Sequence, residues 1–317
     1  MMNPVNPPLI ILTPIYEDAT VFSHLLKELK AQLKTVFVIA VDDGSLAHPI
    51  DITLLQENQL GGEVIKLKCN VGHQRAIALG ICYIADHYPN SSVVIMDADG
   101  EDEPKTIHAL LSQLSQKNIE VVVAVRKKRV ASLQFRIFYH LYKVTFHLLT
   151  GEKINFGNYM ALKPLAIKRL SAMQELWIHL AGCALLSKLP IDSVPIQRGP
   201  RLAGESKMNF IALILHGLKA LIVFSDNVLV RVGIACSALA ALSLIIMPIP
   251  LLLKSIGMAS PGWSSILFGV CLLVFIQAAT LGLITLLLSG MAKQAGLSPV
   301  DYKNMIENIQ RIHQPPT

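Results

Sequence analysis

Two uncharged stretches near the C-terminus are long enough to cross a bilayer, and they constrain the chain more than any other feature. Between Arg231 and Lys254 lie 22 residues, VGIACSALAALSLIIMPIPLLL. Between Lys254 and Lys293 lie 38 more, including WSSILFGVCLLVFIQAATLGLITLLL. At about 1.5 Å per helical residue, roughly 20 apolar residues span the hydrocarbon. The first stretch has room for one helix. The second has room for one helix after a turn, because SIGMASPG at 255–262 is rich in glycine, proline and serine. Two transmembrane helices, 229–253 and 263–289, joined by a short loop, are therefore expected. Composition agrees: 52% of the 317 residues are hydrophobic and 16% charged, where a soluble domain carries about a quarter charged residues.

Charge sets the expected topology. The loop carries only Lys254, whereas the flanks carry Lys207, Lys219, Arg231, Lys293 and Lys303. Positive flanks stay on the cytoplasmic side. The expectation is thus a multi-pass protein of the cell (inner) membrane with both termini and the N-terminal domain in the cytoplasm, and 290–317 as a cytoplasmic tail. The net charge of +6 is assigned to these flanks. Basic residues are not interleaved with aromatic ones, so no nucleic-acid partner is expected. Residues 208–226, with His216 and Lys219 among apolar neighbours, are read as an amphipathic helix in the membrane interface, with a third span as the alternative. The five cysteines form no CxxC and no zinc spacing, and are read as free thiols. The start, MMNPVNPPLIILTP, has no basic region before its short apolar run and is read as leading into a first strand.

Residues 1–207 follow another pattern. The β-branched runs LIILTPIY, VFVIAVDD, EVIKLKC, SVVIMDAD and EVVVAVR alternate with helical segments at 18–34, 73–88 and 104–117. This is the signature of an α/β domain with a mostly parallel, Rossmann-like sheet covered on both faces. Such sheets bind ligands at the carboxyl ends of their strands. There the chain places Pro14-Ile15-Tyr16-Glu17-Asp18, Asp42-Asp43-Gly44-Ser45, Asn70 to Arg75, Asp97-Ala98-Asp99 and Arg126 to Arg129. Any one strand-end acid is most often a helix cap. Together they outline a site.

Asp97 and Asp99 would point to the same side of a strand. Two such carboxylates repel unless a cation lies between them. Hard oxygen ligands suit Mg²⁺ or Mn²⁺, which in turn bind phosphates. Asp102 and Glu103 have a simpler reading, as an acidic first turn favourable to the dipole of the helix that starts at Pro104.

The ordered set LTPIYED, VDDGS, NVGHQRAIALG, DADGEDEP and RLAGESK resembles the inverting GT-A glycosyltransferases of family 2, and more narrowly the polyprenyl-phosphate glycosyltransferases with a two-helix membrane anchor. The resemblance implies a nucleotide-sugar donor, a polyprenyl phosphate acceptor and Mg²⁺ or Mn²⁺. It places Pro14, Tyr16, Asp18, Val41, Asp43, Asp97 and Ala98 at the nucleotide, Asp99 and Glu101 at the metal, and Arg126 at phosphate. Arg201, Gly204, Ser206 and Lys207 would form a loop at the lipid phosphate, with Asp99, Arg126, Arg201 and Lys207 carrying the chemistry. RLAGESK precedes the interfacial helix, where an Arg, a Ser and a Lys around a glycine suit a phosphate headgroup. Two-helix anchors often need packing partners, so a homo-oligomer is expected.

The sequence departs from the resembled pattern in three places. Glu17-Asp18 replaces Asn-Glu, Glu101 replaces an amide, and Gly157-Asn158-Tyr159-Met160-Ala161 replaces GDFRL. The acid sometimes proposed as a base is thus Asn158, which is not a base at neutral pH. Two other readings compete with a lipid-phosphate glycosyltransferase. One is a non-catalytic relative that binds lipid phosphate or scaffolds an envelope complex. The other is a polysaccharide synthase of the same fold, for which the Gln-x-x-Arg-Trp motif is missing.

Overall fold

The computed structural model describes residues 7–126, 133–197, 199, 210–258, 260, 262–295 and 300–312. It divides into two compact units. One comprises residues 1–137, 154–223 and 299–317, the other 138–153 and 224–298.

The first unit begins with the alternation anticipated from sequence: β1 (Leu9–Ile15), α1 (Ala19–Gln32), β2 (Phe37–Asp42), α2 (Thr53–Glu57), β3 (Gly61–Leu67), α3 (His73–His87) and β4 (Ser92–Ile95). A 3-10 turn (Pro104–Thr106) leads into α4 (Ile107–Leu114), then β5 (Val121–Arg126) and α5 (Leu133–Thr150). β6 (Met160–Leu162), α6 (Pro164–Ser171), α7 (Leu180–Leu186), β7 (Ile191–Ile196) and α8 (Phe210–Val223) follow. After the membrane-type helices, a 3-10 turn (Tyr302–Met305) and β8 (Ile306–Ile312) return to this unit.

Among the described residues, eight strands form one sheet in the order β7-β5-β6-β4-β1-β2-β3-β8. β1, β2, β3 and β4 are parallel, while β6 and β8 run antiparallel to their neighbours. The central strands are apolar on both faces, as strands covered on both sides must be. Ile10, Leu12, Ile39, Val93 and Ile95 pack with α3 residues such as Ile77 and Ile81. Ile11, Val38, Ala40 and Val94 pack with Phe22, Leu25 and Leu29 of α1 and Leu110 of α4 on the other face. The chain proceeds outward from β1 to β2 and β3, then crosses back to place β4 on the other side of β1. The β1/β4 boundary is a topological switch point, where loops diverge and leave a crevice.

β8 is the main departure from the sequence reading. Residues 290–317 were expected as a tail, yet Ile306–Ile312 pairs antiparallel with β3 from Gly62↔Ile312 to Leu67↔Ile306. Arg311 Nε lies 2.9 Å from Glu63 Oε1, and the Glu63 side chain is only 3% exposed. Tyr88 donates to the same oxygen at 2.8 Å. Tyr302 donates to Asp86 Oδ2 at 2.6 Å, and Lys303 pairs with that oxygen at 3.4 Å.

The second unit holds the end of α5, α9 (Ser225–Ile246), α10 (Pro248–Ser255) and α11 (Trp263–Ala295). Ser225–Ser255 and Trp263–Leu288 are each long and apolar enough to span a membrane. Both sit close to the expected spans. They expose many large apolar side chains, among them Ile245, Leu252, Ile266, Leu286 and Leu287. The α5 end is tied to α9: Arg231 Nη1 donates to the Leu148 carbonyl at 3.0 Å, and Asn227 Nδ2 donates to that of Thr150 at 3.3 Å. α5 also exposes Leu141, Val144 and Leu148, a helical stripe with an i, i+3, i+7 spacing. α8, the segment read as interfacial, exposes Leu215, Leu218 and Ile222 and buries Ala220 and Val223.

Candidate active site

At the switch point the ends of β1, β2, β3 and β4 come together, through Glu17 with Ser45, Asp43 with Val71, and His73 with Asp97. Asp42-Asp43-Gly44-Ser45 braces its own loop and joins it to the loops after β1 and β3. Asp42 is fully buried and accepts from the N–H groups of Ser45 (2.9 Å) and Ile50 (3.1 Å). Asp43 accepts from the N–H groups of Val71 (2.7 Å) and Gly72 (3.0 Å). Burial pushes the Asp43 pKa up, against those two bonds and the nearby His73. Gly44 has φ +73, and a Cβ there would lie 2.5 Å from the Cys69 carbonyl carbon. The turn therefore requires glycine. The Ser45 hydroxyl accepts from the Glu17 N–H at 2.8 Å.

Glu17, one of the sequence departures, has a structural task. Its carboxylate accepts from the backbone N–H groups of Leu46 (2.7 Å), Ala47 (3.1 Å) and His48 (2.6 Å). These bonds hold its pKa below the usual carboxylate range. It adopts φ 53 to reach them. Tyr16 beside it is 45% exposed, and Asp18 precedes the first turn of α1 without a side-chain cap. A cavity of about 520 Å³ is lined by Glu17, Asp18, His24 and His48 among others; Asp43, Asp97 and Asp99 are not in its lining. Pro14 and Val41 are register partners. Val41 lies in the core with no exposed surface, so its side chain packs the sheet instead of lining an open pocket.

The acidic turn after β4 is bonded to itself. Asp97 N–H donates to Asp102 Oδ2 at 3.1 Å, and Glu101 N–H donates to Asp99 Oδ1 at 3.0 Å. Asp102 is 1% exposed and Glu101 5%. Asp102 is therefore a buried brace of the turn, a task beyond the dipole role expected from sequence. Glu103 pairs with Lys105 at 2.9 Å. Gly199 N–H donates to the Glu101 carbonyl at 3.0 Å.

Among the described residues, no three His, Cys, Asp or Glu side chains converge as a ready-made metal cluster. The donors nevertheless fit Mg²⁺ or Mn²⁺. Such an ion commonly takes one or two carboxylates and draws its other ligands from water and substrate phosphates. The bond from Glu101 N–H fixes the Asp99 carboxylate at the crevice.

Sequence reasoning named His73 only within the strand end Asn70 to Arg75 and gave it no role. Its Nε2 lies 3.2 Å from Asp97 Oδ1 and 3.1 Å from Asn158 Nδ2. Burial lowers its pKa, but Asp97, then Asp43 and Asp99, outweigh burial and leave it raised. Asn158 Oδ1 accepts from Gln74 Nε2 at 2.9 Å, and Gln74 Oε1 accepts from the Leu180 N–H at 2.9 Å. The signal was present in the motif GHQRA, since a His opening a helix beside strand-end acids can contact them. Met160, the other departure, is a buried β6 residue paired with Ile95 and Val123. Arg126 ends β5; Lys127 to Arg129 and Arg201, Gly204, Ser206 and Lys207 lie outside the described residues.

Three comparisons bear on this arrangement. The family model described as glycosyl transferase family 2 matches residues 10–187. An uncharacterised glycosyltransferase of Synechocystis sp. is 27% identical over 288 residues, covering 87% of this chain and 88% of that one. A dodecaprenyl-phosphate galacturonate synthase of Rhizobium johnstonii is 26% identical over 138 residues, covering 40% of this chain and 38% of its own. Among solved structures, glucosyl-3-phosphoglycerate synthase from Mycobacterium tuberculosis, in complex with Mn²⁺, uridine-diphosphate-glucose and phosphoglyceric acid, shares the fold. Its TM-score is 0.50 at 12% identity, over 71% of this chain and 79% of that one. The expected GT-A fold is borne out.

Proposed function

Since the chain belongs to glycosyl transferase family 2, we propose that it moves a sugar from a nucleoside-diphosphate donor to a polyprenyl phosphate at the cytoplasmic face of a membrane. One observation carries the acceptor assignment: the carboxylate-edged switch point shares its chain with two apolar helices of 31 and 26 residues. An acceptor with a polyprenyl tail is delivered by the bilayer that such helices occupy. The galacturonate synthase relative, named for a prenyl-phosphate product, supports the same class. The exposed apolar stripes of α5 and α8 suit an interface at the bilayer surface.

In this reading the displacement is single and inverting. The acceptor phosphate is already anionic near neutral pH, so its oxygen attacks the anomeric carbon with little need of a base. Asn158 is compatible with that chemistry. Tyr16, Asp18, Asp43, Asp97 and Ala98 hold the nucleotide. The backbone at Pro14 and Val41 shapes the same edge. Arg126 faces the diphosphate. Asp99 and Glu101 would hold Mg²⁺ or Mn²⁺, which when bound supplies charge neutralisation for the departing nucleoside diphosphate. Arg201, Ser206 and Lys207 receive the acceptor phosphate.

A non-catalytic lipid-phosphate-binding relative is favoured by the departures at Asn158 and Met160. Incubating the detergent-purified protein with short-chain polyprenyl phosphate and a panel of UDP- and GDP-sugars decides between them. Nucleoside diphosphate release that needs the lipid phosphate and stops with EDTA supports the transferase. No release from any donor, with nucleotide still bound, refutes it in favour of the relative.

A further inference from the structure

Gly199 meets the acidic turn from outside it and leaves no room between. Ile196 ends β7 and is the register partner of Arg126 at the end of β5. Three residues later the Gly199 N–H donates to the Glu101 carbonyl at 3.0 Å. Gly199 is buried there. A Cβ on it would lie 2.4 Å from the Gly100 carbonyl oxygen and 2.7 Å from Glu103 Cγ. Close approach by itself excludes a side chain at this position. The contact reaches the two carboxylates through one rigid plane. The Gly100 oxygen and the Glu101 N–H belong to the same peptide unit, which is planar. On its oxygen side this unit abuts Gly199. On its N–H side it donates to Asp99 Oδ1 at 3.0 Å. The following peptide accepts from Gly199 through the Glu101 carbonyl. Gly199 thus touches both peptides that flank the Glu101 Cα, and the Glu101 side chain starts from a fixed point.

We propose that Gly199 is a positioning residue for Asp99 and Glu101, so that the segment after β7 sets the geometry of a divalent-cation site on the turn after β4. The proposal rests on the reading of these two carboxylates as ligands of Mg²⁺ or Mn²⁺ and names the residue that holds them. An alanine at 199 must push the Gly100 carbonyl away. The peptide plane then rotates, the Glu101 N–H leaves Asp99, and the two carboxylates lose their alignment.

The test compares Gly199→Ala with the unsubstituted full chain in detergent, with UDP and GDP as probes. Mn²⁺ binding is read from the loss of the electron paramagnetic resonance signal of free Mn²⁺, and nucleotide binding is measured with and without metal. The expected result is a Mn²⁺ affinity weakened about tenfold, in the range seen when an outer-shell partner is lost. Metal-free nucleotide binding should stay unchanged, and excess Mn²⁺ should restore nucleoside diphosphate release. A general loss of structure would weaken metal-free binding as well and resist excess metal. That outcome, or an unchanged Mn²⁺ affinity, overturns the proposal. Adding Glu103→Ala removes the side-chain part of the crowding and leaves the Gly100 oxygen in place, so recovery of Mn²⁺ affinity in the double variant overturns it too. A second measurement needs no substitution. Arg198-Gly199 is the one Arg-Gly pair in the sequence, so ¹³C-carbonyl arginine with ¹⁵N-glycine singles out the Gly199 amide. Its resonance should move when Mg²⁺ is added to the nucleotide-bound protein, and an unmoved signal overturns the proposal. If the unsubstituted protein binds no Mn²⁺ with either nucleotide, the reading of Asp99 and Glu101 as metal ligands fails and this inference falls with it. Mn²⁺ binding that Gly199→Ala leaves intact sinks this inference alone.

Discussion

Arg311 donates from Nη2 to the Tyr83 hydroxyl, 2.8 Å away and 228 residues earlier in the chain. The same guanidinium is 2.9 Å from Glu63, whose side chain is almost fully buried. Removing one partner of a buried pair leaves a charge without compensation. Arg311→Ala is expected to cost about 3 kcal/mol of stability, read as a lower Tm in detergent. Arg311 is half exposed, so the cost comes from stranded Glu63, and Glu63→Gln combined with Arg311→Ala should recover part of it.

The second clasp of the same segment is acid-sensitive. The Tyr302 hydroxyl, and then Lys303, hold the Asp86 carboxyl below its usual pKa, against its partial burial. A depressed carboxylate contributes stability that is fully present above its unfolded pKa, near 4, and is lost as pH falls through the lower folded value. The Tm difference between the unsubstituted protein and Asp86→Asn should be constant above about pH 5 and vanish at more acidic pH.

Glu17 predicts a separation of function from stability. Three backbone N–H groups converge on its carboxylate. Glu17→Ala should release residues 46–48 beside Tyr16 and raise the donor KM by about two- to tenfold, as expected for lost charge-assisted bonds. The core beneath stays intact, so the Tm should change little.

Gly44→Ala should do the opposite. The added methyl meets backbone atoms of Cys69 and Asn70 at 2.5 and 2.7 Å, at a φ of +73. Backbone cannot yield as a side-chain tip can, so a loss of about 3 kcal/mol or more is expected, seen as a lowered denaturation midpoint.

Asp99→Asn, or chelation by EDTA, should reduce nucleoside diphosphate release about a hundredfold, the usual scale for losing one preorganised electrostatic contact at a developing charge. Full activity in EDTA would show that Asp99 and Glu101 serve no metal.

The five parallel-type strands and their polar ends were legible because buried strands write themselves as apolar runs and turns as glycine and aspartate. β8 was not legible. As an edge strand, IENIQRI buries only part of each side chain, and its charges read as a tail until Glu63 is known to face Arg311. Asp102 was legible only as an acid beside a helix start; that it folds back to accept from the Asp97 N–H depends on the shape of the turn. The contact of His73 with Asp97 and Asn158 spans three separate stretches of chain; the motif GHQRA brings a histidine to the strand-end acids, but no local spacing names its partners. Val41 shows the reverse limit, since the resemblance places it at the nucleotide while its side chain is buried in the core.

β8 also fixes an order of events during synthesis. The ribosome makes the N-terminal strands first, then both apolar helices, and only afterwards the strand that covers β3. Until that moment β3 has an open edge, which invites pairing with other chains. The sheet is therefore completed only after both apolar helices have been made, and a fragment ended at Val223 would carry the open edge permanently. Expression trials that delete the helices should keep residues 300–312 on a linker, or they will yield aggregate.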